Sequence, residues 1–180
     1  MVYIPAEDSY FFAHILARFV KGKVVLDMGA GSGILSEAAL NARASSVCSV
    51  DIDSEAVEFL RLKRLTTIES DLFEKVSGLF DVILCNAPYL PEDSREGAEG
   101  KVAIVGGKRG DEFILRFLKQ AQNHLAPDGC ILLLLSSRTP RERILALLKK
   151  QKMKNEVVAE KKLFFETLEV WKINSNIVST

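Results

Sequence analysis

The sequence predicts an α/β fold: a seven-stranded, mostly parallel sheet with helices on both faces and an antiparallel C-terminal hairpin. Three observations predict it. Apolar strand-like runs alternate with amphipathic helical runs through most of the 180 residues, the pattern of a parallel sheet covered on both sides. A glycine-rich turn, "DMGAGSG", joins the first strand to a helix. The last two strand-like runs have no helix between them, so they should pair antiparallel.

The elements follow in order. "FFAHILARF" places Phe11, Phe12, Ile15, Leu16 and Phe19 on one helical face. "KVVLDM" reads as a buried strand and "GILSEAALNA" as a helix. "SSVCSVDI" is the second strand, and "SEAVEFLRLKR" a helix with Ser54 as its N-cap. "LTTIESDL" is a short third strand and "FDVILC" a fourth. "DEFILRFLKQAQNHL" is amphipathic, with Phe113, Ile114, Phe117, Leu118 and Ala121 on one face and acids in its first turn. "PDG" turns the chain into the strand "CILLLLSS", and "PRERILALLKKQ" is a helix with Pro140 near its first position. "NEVVAEKKLFFETLEVWKI" alternates as two strands. No repeat, low-complexity segment or linker divides the chain, so residues 1–180 read as one domain.

Composition narrows the class. The 24 basic and 24 acidic residues cancel, so no global charge draws the chain to nucleic acid or to a membrane surface. No apolar run reaches the length of a membrane span. "MVYIPAEDSY" lacks the basic region and apolar stretch of a signal peptide, so a cytoplasmic protein is expected. Cys48, Cys85 and Cys130 sit in apolar runs outside any CxxC pair and read as three reduced, buried thiols. His14 and His124 fall in apolar helical patterns. Nitrogen and sulfur ligands are too few and scattered for a metal site.

The glycine turn carries the first chemistry. Gly29, Gly31 and Gly33 let the backbone turn tightly and approach a ligand closely. The helix behind them should offer unpaired amides. Asp51 ends the second strand about twenty residues on, where an acid can bind ribose hydroxyls; Asp53 is a turn residue by comparison. A dinucleotide fingerprint would need glycine at position 34, which is Ile34. The actual spacing, D-x-G-x-G-x-G with Asp27 ahead, resembles motif I of S-adenosylmethionine-dependent methyltransferases. Their cofactor carries an ammonium-carboxylate and a ribose and no pyrophosphate, which suits an acid beside the loop. The resemblance implies a cofactor site of Asp27, Gly29, Ala30, Gly31, Gly33 and Asp51. Ile52 would pack on the adenine, Asp71 would accept from its amino group, and Leu72 would add a backbone amide and apolar cover. Alone, Asp71 would read as a surface turn acid, and the glycines as a turn without a ligand. The antiparallel C-terminal pair also resembles the Rossmann-like class I methyltransferase sheet.

Asn86-Ala87-Pro88-Tyr89 follows the fourth strand. In an open parallel sheet, ligands bind outside the carboxyl ends of strands, so this turn should adjoin the cofactor, with Asn86 touching cofactor and acceptor alike. It resembles the (D/N/S)PP(Y/F) signature of enzymes that methylate planar nitrogens. Such a nitrogen shares its lone pair with a π-system and is a poor nucleophile. The Asn86 side-chain oxygen can accept one of its N–H groups and the Ala87 carbonyl the other. Pro88 biases Ala87 to an extended conformation, and Tyr89 can wall the planar acceptor. Both acceptors follow the charge developing on nitrogen, and positioning supplies most of the rest. Ala87 stands where the signature has proline, which costs rigidity and leaves the carbonyl in place.

The resemblance extends along the chain. "IPAEDSYFFAHIL", "NAPYLP", "GGKRGDEFILRFLKQAQNHLAPDGCILLLL" and "FETLEVWKI" are similar to segments of the HemK-like family, in its archaeal and eukaryotic branch. That branch methylates the glutamine of the Gly-Gly-Gln loop of class I peptide-chain release factors. The resemblance implies that Asp8 and Ser9 lie near the cofactor and help close the site; on residue physics alone, "PAEDS" is equally a helix N-terminus with acids favouring the dipole. It also implies a small zinc-binding activator subunit that extends the sheet edge formed by the short third strand. Residues 91–110 form a long connection, assigned to substrate contact.

Three rivals stand beside this reading. An adenine-amino methyltransferase acting on DNA or RNA would use the same turn, and "RTPRERILALLKKQKMK" is locally basic. Zero net charge counts against nucleic acid as a partner, and no membrane partner is expected. A protein lysine methyltransferase would need a base to deprotonate its acceptor. A non-enzymatic cofactor-binding subunit would have no need of Asn86.

Overall fold

The computed structural model describes residues 5–87 and 110–175. Its strands are β1 (Val24–Met28), β2 (Ser46–Asp51), β3 (Thr66–Glu69), β4 (Phe80–Asn86), β5 (Leu125–Ser136), β6 (Met153–Lys162) and β7 (Thr167–Ser175). Among the described residues its helices are α1 (Glu7–Leu16), α2 (Ile34–Asn41), α3 (Ser54–Leu62), α4 (Glu112–Ala121) and α5 (Glu142–Lys150). The strands form one sheet in the order β3-β2-β1-β4-β5-β7-β6. β3, β2, β1, β4 and β5 are parallel; β7 is antiparallel to both β5 and β6. The seven strands, the covered sheet and the antiparallel end are those expected from the sequence.

Continuous apolar strands make this architecture because a strand sends alternate side chains to opposite faces. Leu26, Ile83, Cys85, Ile131, Leu133 and Leu135 join one core with Ile114, Phe117 and Leu118 of α4 and Ile144 and Leu148 of α5. Val25, Val82, Leu84, Leu132 and Leu134 join the other with Phe12, Ile15 and Leu16 of α1 and Leu35 and Ala39 of α2. At roughly 2 kcal/mol for each buried large aliphatic side chain, these two layers are the main source of stability.

Some details differ from expectation. The α3 N-cap is Asp53, whose carboxylate accepts from the Glu55 N–H at 2.9 Å, and Ser54 is already helical. Asp53 wins because its carboxylate reaches the amide two residues on. α1 ends at Leu16, leaving Phe19 beyond the helix, half-buried against the α1–α2 core. The "PDG" segment lies inside β5 as an irregularity: Asp128 has φ 61° and the pairing with β4 jumps from Phe80–Leu125 to Val82–Cys130. Cys85 and Cys130 are buried, Cys48 is half-buried, and burial pushes all three thiols up. No helix among the described residues is long and apolar enough to cross a membrane.

The chain order reverses beside β1, with β2 on one side and β4 on the other. Such a switch point opens a crevice at the carboxyl ends of the strands. Met28 stands in register with Val50 and with Cys85. The glycine turn after β1, Asp51 at the end of β2 and Asn86 at the end of β4 therefore share one edge of the sheet.

Candidate active site

The glycine turn is locked by its own backbone. Gly29, Gly31 and Gly33 have φ of 72°, 51° and 81°, the left-handed region that other residues enter at a cost. The Gly29 and Ala30 N–H groups donate to Val50 O at 2.8 and 3.0 Å, Gly31 N–H to Asp51 Oδ2 at 2.8 Å, and Gly33 N–H to Ala30 O at 2.7 Å. The amides of the turn itself are therefore taken within the fold. The turn is shaped by bonds to β2, and the spacing of its glycines, with Ile34 where a dinucleotide fingerprint has its third glycine, sets it apart from a dinucleotide loop. A Cβ on Gly33 would come within 2.7 Å of Leu60, whereas one on Gly29 would meet nothing within 4 Å. The space over Gly29 is open.

Two acids sit near the ends of the strands tied together by this turn, Asp27 in β1 and Asp51 closing β2. Asp51 accepts Gly31 N–H through one oxygen and Asp53 N–H, at 2.9 Å, through the other. It is half-buried at its strand end, and each oxygen keeps a lone pair. Asp27 is fully buried. Its Oδ2 accepts from the Ser36 hydroxyl at 2.7 Å, Ser36 meets Ser49 at 2.7 Å, and Asp27 Oδ1 has no partner among the described residues. Burial, opposed by the Ser36 hydrogen bonds and aided by nearby Asp51, raises the Asp27 carboxyl from 3.8 to about 6. Ser36 and Ser49 were not singled out in the sequence. The i+9 spacing of Ser36 from Asp27, inside an apolar helix, carries no local signal.

The other predicted positions are more mixed. Ile52 is 64% exposed beside Asp51. Asp71 pairs with Arg116 of α4 at 2.7 Å through Oδ2. The Leu72 side chain is buried in the core, with φ 49°; what it can offer a ligand is backbone, and the expected apolar cover is not available. Pro88, Tyr89 and residues 91–109 lie outside the described residues.

Asn86 ends β4 and Ala87 behind it is buried. The Asn86 amide nitrogen donates to Asp8 Oδ2 at 3.0 Å and lies 3.4 Å from Ser9 Oγ, which in turn donates to Asp8 Oδ1 at 3.3 Å. A carboxylate can only accept, so the NH2 end of the amide must face Asp8. The Asn86 Oδ1 is thereby turned the other way; it is buried and has no partner among the described residues. A buried amide oxygen without a partner costs free energy, on the order of 1–3 kcal/mol. It marks a place where an N–H donor is wanted.

A family of methyltransferases described as "Methyltransferase small domain" matches residues 8–166. A Methanocaldococcus jannaschii protein bearing the provisional name protein N5-glutamine methyltransferase is 40% identical over 94% of this chain and 89% of its own length. Methyltransferase HEMK2 of the mouse is 30% identical over 82% of this chain and 78% of its own. The chain belongs to the HemK-like methyltransferases. Its fold superposes, at TM-score 0.79 and 27% identity, on the E. cuniculi Mtq2-Trm112 complex, described as responsible for methylating the translation termination factor eRF1; 97% of this chain and 99% of that one are covered. Matched bacterial release factor glutamine methyltransferases are longer, and the chain spans 42% to 55% of their length.

The residues of this methyltransferase suit S-adenosylmethionine on the geometry alone. Asp27 Oδ1 is an acceptor without a partner among the described residues, and its chemistry suits an ammonium. Asp51 stands at a strand end with lone pairs to spare for hydroxyls. Gly29, between the two acids in the sequence, leaves open space where a side chain would stand. A cleft of about 410 Å³ lined by Leu145, Leu148, Lys149, Lys152, Met153, Lys154 and Asn155 lies where β6 begins, at the opposite edge of the sheet, and takes no part.

Proposed function

We propose that this chain transfers a methyl group from S-adenosylmethionine to the side-chain amide of a protein glutamine, that of the Gly-Gly-Gln loop of a class I peptide-chain release factor. The observation that carries the reading is Asn86 Oδ1: buried, without a partner among the described residues, and turned away from Asp8. An acceptor with two N–H groups on one planar nitrogen satisfies Oδ1 with one and the Ala87 carbonyl with the other. The names of the Methanocaldococcus jannaschii relative and of the bacterial release factor glutamine methyltransferases favour glutamine over a nucleic-acid base or a lysine.

Each residue then has a task. When bound, S-adenosylmethionine supplies an electrophilic methyl group. Asp27 holds the ammonium through Oδ1, and Ser36 fixes the rotamer of that carboxylate. Asp51 binds ribose hydroxyls while tying β2 to the turn, Ile52 covers the adenine, and Asp71 accepts from its amino group through the oxygen not held by Arg116. Asn86 and Ala87 orient the acceptor lone pair, and their dipoles stabilise the positive charge that develops on nitrogen. That nitrogen becomes acidic once the N–C bond forms and gives its proton to water, so no strong base is called for. Pro88 stiffens the turn and Tyr89 walls the acceptor.

The edge strands favour a partner at β3. β6 carries Lys161, Lys162 and a bulge at Val158, devices that blunt an edge. β3 has neither, and α3 leading into it leaves Leu62 75% exposed. A small zinc-binding activator adding a strand there fits this difference. The chain reads as a single-domain cytoplasmic enzyme, since its acceptor works on ribosomes.

Labelled S-adenosylmethionine, the purified chain and a release factor test the reading. Label should enter the wild-type factor and be absent when the loop glutamine is replaced by asparagine. Equal label in both would refute the glutamine assignment.

A further inference from the structure

The turn between β6 and β7 is built against the ordinary rule for surface turns. Leu163 packs into the α1–α2 core, and its N–H closes the turn on Glu166 O at 2.8 Å. Phe164 and Phe165 are then thrown outward, 92% and 84% exposed, edge to face at 4.7 Å between centroids. The base of the turn is fixed. Ser137 N–H donates to Thr167 O at 2.7 Å, Thr167 N–H to Ser137 Oγ at 3.0 Å, and the Ser136 hydroxyl to the Glu166 carboxylate. Two rings are held in water on a rigid mount.

Topology puts this mount on the catalytic edge. β7 begins beside Ser136, the last residue of β5, and β6 ends opposite Thr167. Lys161 bridges to Glu7 at 2.7 Å, and the next residue of α1, Asp8, orients Asn86 at 3.0 Å. The strand end below the aromatic pair is thus linked to Asn86 through one ion pair, two adjacent residues of α1 and one hydrogen bond.

We propose that Phe164 and Phe165 form a docking knob for the folded protein that carries the methyl-accepting side chain, a reading that rests on the protein acceptor proposed above. A second copy of the chain is a poorer occupant. Two rings bury about 150–250 Å² each, far below the roughly 1,600 Å² of a standard stable interface. As part of a larger surface that already includes the catalytic edge, the same two rings are enough for an anchor, since a few buried aromatics carry much of an interface's energy. An enzyme acting on a side chain of a folded protein has to grip it away from the reacting atom, and the knob stands on the rim where that grip is available.

The test uses the full chain, a class I release factor from the same organism, and a short peptide carrying the Gly-Gly-Gln motif. F164S/F165S should raise KM for the release factor about tenfold or more, with kcat, cofactor affinity and turnover of the peptide unchanged. F164L/F165L should restore most of the loss. An unchanged KM for the factor, with the wild type active, overturns the docking proposal and leaves the methyl-transfer reading standing. Absence of any transfer by the wild type overturns that reading and the docking proposal with it. Self-association of the wild type, or its pelleting with anionic vesicles, abolished by F164S/F165S while KM is unchanged, would assign the rings to a second copy or to a membrane instead.

Discussion

The two halves of the catalytic edge are held by different kinds of contact. On the glycine-turn side, the pinning bonds are short in sequence: Ser36 to Asp27, Ser36 to Ser49 and Gly31 to Asp51 span 9, 13 and 20 residues. On the acceptor side, Asn86 is held by Asp8, 78 residues away. In the proposed function, the methionine and ribose ends of the cofactor are served by one β-turn-α-β unit. The proposed acceptor geometry instead depends on Asp8 and Ser9 of the N-terminal helix, and whether it can be altered without loosening the cofactor is the question the next variants answer.

The largest expected effect separates the halves. Asn86→Ala should lower kcat for methyl transfer by about 10²–10³-fold, the loss typical of removing one aligned polar group at a reacting centre, measured in single-turnover assays at saturating cofactor. Asp8→Asn comes next. The new amide can donate as well as accept, so the Asn86 amide is no longer forced to turn its oxygen outward. We expect kcat to fall about 10–100-fold, the range of a hydrogen bond to a charged group, with KM and cofactor affinity little changed. The side-chain amide ¹⁵N signal of Asn86 should move in the same variant before any substrate is added. A large loss of cofactor affinity would instead make the two halves one unit.

Cofactor binding should show its own pH dependence. Asp27 must be ionised to hold an ammonium, and its carboxyl is raised to about 6. Affinity measured by calorimetry should therefore weaken up to tenfold per pH unit below about 6. The ligand-free fold should respond in the opposite sense. A carboxyl raised from 3.8 to about 6 contributes stability that is full at low pH and is lost as pH rises through about 6. Ser36→Ala, which removes a bond that lowers this value, should move both transitions to higher pH.

The smallest effect belongs to Arg116. Its bridge to Asp71 is largely exposed on the arginine side, so Arg116→Ala should change stability by less than about 1 kcal/mol in denaturant titrations. Cofactor affinity should stay within about threefold.

The same contrast explains what was readable in the sequence. Strand and helix order was legible because strands such as "VILC" and "ILLLL" are apolar on both faces, and helices such as α4 carry an apolar stripe. The glycine turn and Asp51 were legible because their spacing is local. That the turn's amides are consumed by Val50 and Asp51 was not, since it depends on how β1 and β2 lie side by side. Asp8 was visible as a motif residue, but its contact with Asn86 joins opposite parts of the chain, and no window of sequence contains both. Phe164 and Phe165 passed as strand residues in "EKKLFFETLEV", because an alternating pattern does not show where a hairpin turns. The Asp53 cap was missed by one residue, the usual uncertainty at a helix start.

The account's central claim is an acceptor with two N–H groups on a planar amide nitrogen. Its most direct test offers the purified enzyme a release factor, duplex DNA and a lysine-rich protein in one mixture with labelled S-adenosylmethionine, and locates the label by mass spectrometry. The account predicts a single added methyl group on the side-chain nitrogen of the Gly-Gly-Gln glutamine, lost in Asn86→Ala. Label on a lysine or on an adenine, with the glutamine unmodified, would contradict it.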